Sequence, residues 1–214
     1  MKADNSASGG YLCKDRVELK SNTGAQSISS MYQNKENNGN EYKVRLLEKI
    51  LDRSNMNLAY KRVKANKGSH GVDGMSVDEL LPFLKQNGAQ IKQSILEGTY
   101  RPSPVRRVEI PKPDGGKRLL GIPTVADRVI QQAIAQVLSP IFETKFSEFS
   151  FGFRPNKSAH QAVKKCKQYI EEGYIWTVDI DIANYFDTVN HDKLIRLIWQ
   201  TVKDGRVISL ISLS

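Results

Sequence analysis

Trp176-Thr177-Val178-Asp179-Ile180-Asp181-Ile182-Ala183-Asn184-Tyr185-Phe186-Asp187 is the stretch on which the reading of this chain turns. Apolar and β-branched residues alternate with two acids at i and i+2. Period 2 puts Asp179 and Asp181 on one face of a predicted strand, Tyr174 to Asp181. Carboxylates carried by an apolar strand are costly unless a cation or a hydrogen-bond donor meets them. Hard oxygen donors suit Mg²⁺, which takes one or two carboxylates and completes its shell with water and substrate phosphates. That points to phosphoryl transfer. A bare Asp-x-Asp also fits a plain strand end, with one acid in solvent and the other capping the next turn.

Upstream, Arg101 to Arg118 carries six cations against Glu109 and Asp114. Val108 and Ile110 alternate with Arg107 and Glu109, and Pro113-Asp114-Gly115-Gly116 is turn chemistry before Arg118 to Ile122. The pattern predicts a hairpin studded with cations. Arginine suits bidentate phosphate contact and lysine acts as a point charge. A solvated edge hairpin would carry such cations too. Farther on, Phe151-Gly152-Phe153-Arg154-Pro155-Asn156-Lys157 sets aromatics beside cations, fit either to stack on a base or hold a backbone phosphate, or to make a tight turn before a helix.

The surrounding elements read as mixed α+β. Val44, Leu47, Leu51 and Leu58 predict a helix that stops by Gly68. Three glycines within 67–74 predict a loop, and Gly-Lys-Ser/Thr is absent, so it is not a P-loop. Ser76 with Glu79 predicts a capping box before Leu80, and a separate short helix should run through Ile91 and Ile95 to Gly98. Further helices are predicted over Asp127–Leu138, ended by Pro140, from about Ser158 to Gly173, and over Asp192–Val202. Residues 1–40 are rich in Ser, Asn and Gly without apolar period, and predict a disordered leader.

Composition narrows the classes. The 214 residues carry 32 Lys+Arg against 23 Asp+Glu, a net charge of +9. Most of the excess lies beyond residue 40, on the part that looks folded, which favours a polyanionic partner without requiring one. Two cysteines and three scattered histidines exclude a disulfide framework and argue against a His or Cys metal cluster. No window holds the roughly 18 consecutive apolar residues of a membrane span, and the N-terminus has no signal-peptide core. A reducing, cytoplasmic location without membrane contact is expected.

Taken in order, several strings resemble a bacterial group II intron reverse transcriptase, or maturase. They are Asn66-Lys-Gly-Ser-His-Gly-Val-Asp-Gly74, Tyr100-Arg-Pro-Ser-Pro-Val-Arg-Arg-Val-Glu-Ile-Pro-Lys-Pro113, Arg118-Leu-Leu-Gly-Ile-Pro-Thr-Val-Ala-Asp-Arg-Val-Ile-Gln-Gln-Ala133, Ser150-Phe-Gly-Phe-Arg-Pro155 and Val178-Asp-Ile-Asp-Ile-Ala-Asn-Tyr-Phe-Asp187. The resemblance covers roughly residues 43–211. It implies a right-hand polymerase fold with fingers and a partial palm only. Residues 41–98 would be a helical N-terminal extension with a lid loop at 67–74, residues 99–173 the fingers, and residues 174–214 the start of the palm.

The same resemblance assigns roles. Asp181, five residues before an aromatic, would be the catalytic metal ligand, with the Ile182 carbonyl completing the Mg²⁺ shell. Phe186 would screen the sugar 2′ position. Arg106, Lys112 and Arg118 would contact the incoming nucleotide, and Lys67, His70, Arg107 and Arg154 the RNA template. Implied partners are intron RNA, template RNA with a DNA primer, and dNTPs, with a homodimer allowed but not required. The family also needs a Tyr-x-Asp-Asp motif, and this sequence contains no Asp-Asp pair. The expectation is an N-terminal fragment inactive in synthesis by itself. The alternative is a non-catalytic module that binds intron RNA in splicing.

Overall fold

A computed structural model describes residues 46–113, 115–182 and 185–213, the side chain of Asp187 excepted. The expected leader lies outside the described residues. Eight helices and one two-stranded sheet are described: α1 Leu46–Ile50, α2 Arg53–Ala65, α3 Leu80–Leu96, β1 Arg106–Pro111, β2 Lys117–Ile122, α4 Val125–Glu143, α5 Ala159–Glu171, α6 Tyr185–Thr188, α7 His191–Val202 and α8 Gly205–Leu213.

The apolar face of α4 is the axis of the core. Val125, Val129, Ile130, Ala133, Ile134 and Leu138 are buried at helical spacing. Ala59 and Val63 of α2, Leu47 and Ile50 of α1, Leu80 and Ile95 of α3, and Val207 and Leu210 of α8 join them in one buried cluster. Each fully buried Val, Leu or Ile stabilises by about 1.5–3 kcal/mol relative to exposure. Asn55 ties three helices. Its Nδ2 donates to the carbonyls of Ile50 (2.8 Å) and Ala133 (3.1 Å), and its Oδ1 accepts from Gln136 (2.8 Å). Arg206 of α8 donates to both carboxylate oxygens of Glu48 in α1.

Several elements differ from expectation. The first predicted helix is two, because the Asp52 side chain accepts from the Ser54 amide and starts α2 afresh. The pair predicted over 80–98 is a single helix, α3. Pro82 lies in its first turn, where a missing N–H costs nothing, and the glycine penalty at Gly88 is only about 1 kcal/mol. Half of the predicted capping box forms: the Ser76 amide donates to Glu79 (2.8 Å), but the Ser76 hydroxyl also donates to that carboxylate, and the helix begins at Leu80. Helix α4 does not end at Pro140 but runs to Glu143, since Ile141 and Phe142 pack on the core and offset the lost backbone bond. Helix α5 starts as predicted, with a reciprocal capping box between Ser158 and Gln161.

The largest difference is at residues 174–182, where no strand forms. A strand needs a partner for its backbone groups. The only sheet among the described residues is the β1–β2 hairpin, which does not reach this segment. Ile175, Trp176, Val178 and Ile180 are each more than four-fifths exposed. Helix α5 buries none of its residues, so its predicted apolar face, Val163 and Ile170 included, is also open to solvent.

Candidate active site

The cationic hairpin forms with the predicted facing. Arg106 pairs with Ile122, Val108 with Leu120, and Ile110 with Arg118. Paired residues share a face, so Arg106 and Arg118 stand on one side, four residues apart along the ladder, or about 13 Å. Lys112 lies in the connecting turn, where its amide donates to the Gly116 carbonyl (2.7 Å). Arg118 and Lys112 are exposed and Arg106 is half-buried. Arg107 falls on the opposite face with Glu109 and Lys117, the last two ion-paired at 2.6 Å in solvent.

A buried carboxylate fixes the base of this hairpin. Asp127 accepts from the Tyr100 hydroxyl, the Ser103 amide (3.1 Å) and the Thr124 hydroxyl (2.6 Å). Thr124 in turn caps α4 by accepting from the Asp127 amide (3.2 Å). The chain entering β1 and the chain leaving β2 therefore meet at one group. Burial, and then the Asp127 carboxylate, push the Tyr100 phenol well above its ordinary range. Nothing in the sequence spacing signalled this tie between residues 100 and 127.

The glycine loop lies across the same base. Arg106 Nε donates to the His70 carbonyl (3.1 Å), and Arg128 donates to the Ser69 carbonyl (2.5 Å). Burial lowers the Arg128 guanidinium pKa, which Asp73 partly restores. Lys67 is exposed with φ +45°, and the His70 ring sits 3.0 Å from the Gly71 carbonyl. Sequence reasoning overlooked Arg128; its place in the first turn of a strongly amphipathic helix was the only signal available.

Arg154 is engaged within the protein. It donates twice from Nε to the two oxygens of Glu143 (3.0 and 3.2 Å), once from Nη2 (2.7 Å), and from Nη1 to the carbonyls of Ser147 and Ser150. Its side chain is only 9% exposed and lies over the Phe146 ring. The arginine holds Glu143 below the usual carboxylate range, chiefly by hydrogen bonding. This geometry makes Arg154 the fastener of a loop that contains two left-handed non-glycine residues, Phe153 and Asn156.

Asp179 and Asp181 are exposed, as are the Ile182 and Phe186 side chains, and the rings of Tyr185 and Phe186 meet edge to face at 5.4 Å. Ala183 and Asn184 lie outside the described residues. Two carboxylates and a carbonyl suit Mg²⁺ in kind. In number they fit one ion shared with substrate phosphates, because no group of three or more His, Cys, Asp or Glu gathers among the described residues.

Residues 110–211 match the family model described as reverse transcriptase (RNA-dependent DNA polymerase). The group II intron-encoded protein LtrA of Lactococcus lactis subsp. cremoris is 38% identical over 185 residues, 86% of this chain and 31% of that protein. The chain's similarity is to group II intron reverse transcriptases and intron maturases. Protein YkfC of Escherichia coli is 37% identical over 153 residues, 69% of this chain and 40% of that protein. The Arabidopsis thaliana protein named nuclear intron maturase 1, mitochondrial, is 33% identical over 92 residues, 43% of this chain and 13% of its own length. The chain thus spans between 31% and 40% of the length of the first two relatives. The family match covers β2, α4, the exposed 174–182 segment and the helices after it, so the hairpin and the Asp181 motif are largely inside it. No helix among the described residues is long and apolar enough to cross a membrane.

Proposed function

We propose that this chain carries the nucleotide-binding fingers and the first metal carboxylate of an RNA-directed DNA polymerase belonging to a group II intron. The observation that carries the reading is the shared hairpin face of Arg106 and Arg118, with Lys112 at its tip, beside a reverse transcriptase family match that takes in Lys112 and Arg118 and begins four residues after Arg106. Three cations on a platform anchored at Asp127 are arranged to neutralise a triphosphate, and electrostatic stabilisation of that kind dominates phosphoryl transfer. Asp181 and the Ile182 carbonyl would hold Mg²⁺. A Mg²⁺ ion held there would supply positive charge to activate an attacking hydroxyl, while steadying a leaving pyrophosphate would call for a second ion. Phe186, five residues past Asp181, screens the sugar 2′ position. Lys67, His70 and Arg107 lie exposed and contribute to the template side. The family match supports a right-hand arrangement of fingers and palm.

These 214 residues contain no Asp-Asp pair, and a second set of acids is needed for two-metal synthesis. The exposed, uncollected carboxylates Asp179 and Asp181 favour a second reading, in which the chain binds intron RNA without synthesis. Primer extension on an RNA template with a DNA primer, dNTPs and Mg²⁺ tests both. The expected result is no extension, template–primer affinity that falls log-linearly with salt, and unchanged affinity in Asp181→Ala. Extension abolished by Asp181→Ala would overturn the incomplete metal site. Affinity indifferent to salt would overturn the nucleic-acid reading itself.

A further inference from the structure

Two arginines grip neighbouring carbonyls of the glycine loop. Arg106, the first residue of β1, takes His70, and Arg128, in the first turn of α4, takes Ser69. The next residue, Gly71, is buried where the chain passes from the hairpin into α4. A Cβ at Gly71 would stand 2.6 Å from the Thr124 Cα, 2.7 Å from the Thr124 N and 3.0 Å from the Pro123 carbonyl carbon. All three are backbone atoms and cannot swing aside. The absence of a side chain at residue 71 is therefore what lets the loop reach both arginines.

A guanidinium is a rigid planar fork with five donors. The bond from Nε fixes the plane of Arg106 and leaves its two terminal nitrogens without a protein acceptor among the described residues. An arginine already held this way gives up less rotamer freedom when it meets a phosphate than a free one does. We propose that loop 68–71 is a positioning element for nucleotide binding: Gly71 seated on Thr124 places the His70 carbonyl so that it aligns the Arg106 fork for the triphosphate. The proposal rests on the reading of Arg106 as a phosphate contact. It makes Gly71 and Arg128, neither of which touches the nucleotide, determinants of its affinity.

A double-mutant cycle on the full chain tests this, with Mg²⁺ and dATP as the probe and affinity read by calorimetric titration. Gly71→Ala and Arg106→Ala should each weaken dATP about tenfold. The double variant should also lose about tenfold rather than a hundredfold, because both changes remove the same aligned fork. Arg128→Ala, which frees the loop from the α4 side without placing an atom against Thr124, should repeat the pattern against Arg106→Ala should Gly71→Ala fail to fold. Independent, multiplying losses would overturn the positioning role while leaving Arg106 as a phosphate contact. An Arg106→Ala chain that binds dATP as tightly as the parent would overturn the nucleotide-site reading, and the positioning role with it.

Discussion

Replacing Tyr100 with Phe removes one hydroxyl and little else, which makes it a direct probe of the clasp at the base of the hairpin. Asp127 is 5% exposed and keeps its Ser103 and Thr124 donors in the variant, so the loss is one charge-assisted hydrogen bond rather than an orphaned carboxylate. Such a bond contributes about 1.5 kcal/mol, the lower end of its range because the phenol is only half-buried. With a urea slope of roughly 2 kcal/mol per molar, the unfolding midpoint at pH 7 should fall by roughly 0.7 M. The pH dependence gives a second reading. The folded-state Tyr100 pKa is raised above its unfolded value of about 10. Its stabilisation is therefore complete below pH 10 and is lost as pH rises beyond that, when the unfolded chain releases the proton first. The decline is at most about 1.4 kcal/mol per pH unit, and less where water reaches the ring. Urea titrations of parent and variant at pH 7, 9 and 11 should show a gap that holds to pH 9 and narrows by pH 11. Equal midpoints at pH 7, or a gap unchanged at pH 11, would refute the clasp.

Other residues give independent tests. Asn55→Ala should cost about 1–2 kcal/mol in the same urea assay, since it removes the bonds from Asn55 to Ile50, Ala133 and Gln136 at a half-buried helix junction. Ser158→Ala removes the α5 cap, worth about 1 kcal/mol. Because α5 buries no residue, hydrogen exchange should show faster opening of its first turn while the global midpoint stays put. Arg154→Lys keeps the charge but loses the fork on Glu143, and limited proteolysis should then cut within 144–158 faster than in the parent. The folded-state pKa of Glu143 is depressed, so its contribution is present above the usual carboxylate range and is lost as pH falls through the folded value. Proteolysis of the parent loop should accordingly speed up on acidification and that of Arg154→Lys should change less.

Local pattern was enough for the hairpin and for α4. The alternation around Val108 and Ile110 set which cations share a face, and the spacing of Val129, Ile130, Ala133 and Ile134 marked the buried side of α4. It was not enough where packing decides. Pro140 reads as a stop, yet Ile141 and Phe142 gain more from the core than the proline loses. Tyr174 to Asp181 is rich in aromatic and β-branched residues, but a strand is a property of two segments, and pairing cannot be read from one. The same holds for the site. The cations of the hairpin were legible from charge and turn residues. The resemblance made Arg154 a template contact, while the string around it also fitted a tight turn, and only the position of Glu143 and the Ser147 and Ser150 carbonyls revealed an internal fastener. Asp127 and the grip of Arg106 and Arg128 on the glycine loop join residues 24 to 59 positions apart, which no periodicity encodes.

The central claim is that one face of the hairpin receives a nucleoside triphosphate. A dNTP bearing a photoreactive group on its γ-phosphate, irradiated with the chain, Mg²⁺ and an RNA–DNA template–primer, tests it most directly when the adduct is mapped by mass spectrometry. Adducts are expected within residues 106–118, displaced by unlabelled dATP and removed by Arg118→Ala. Adducts confined to α4, α5 or the 174–182 segment, or labelling that dATP does not displace, would contradict it.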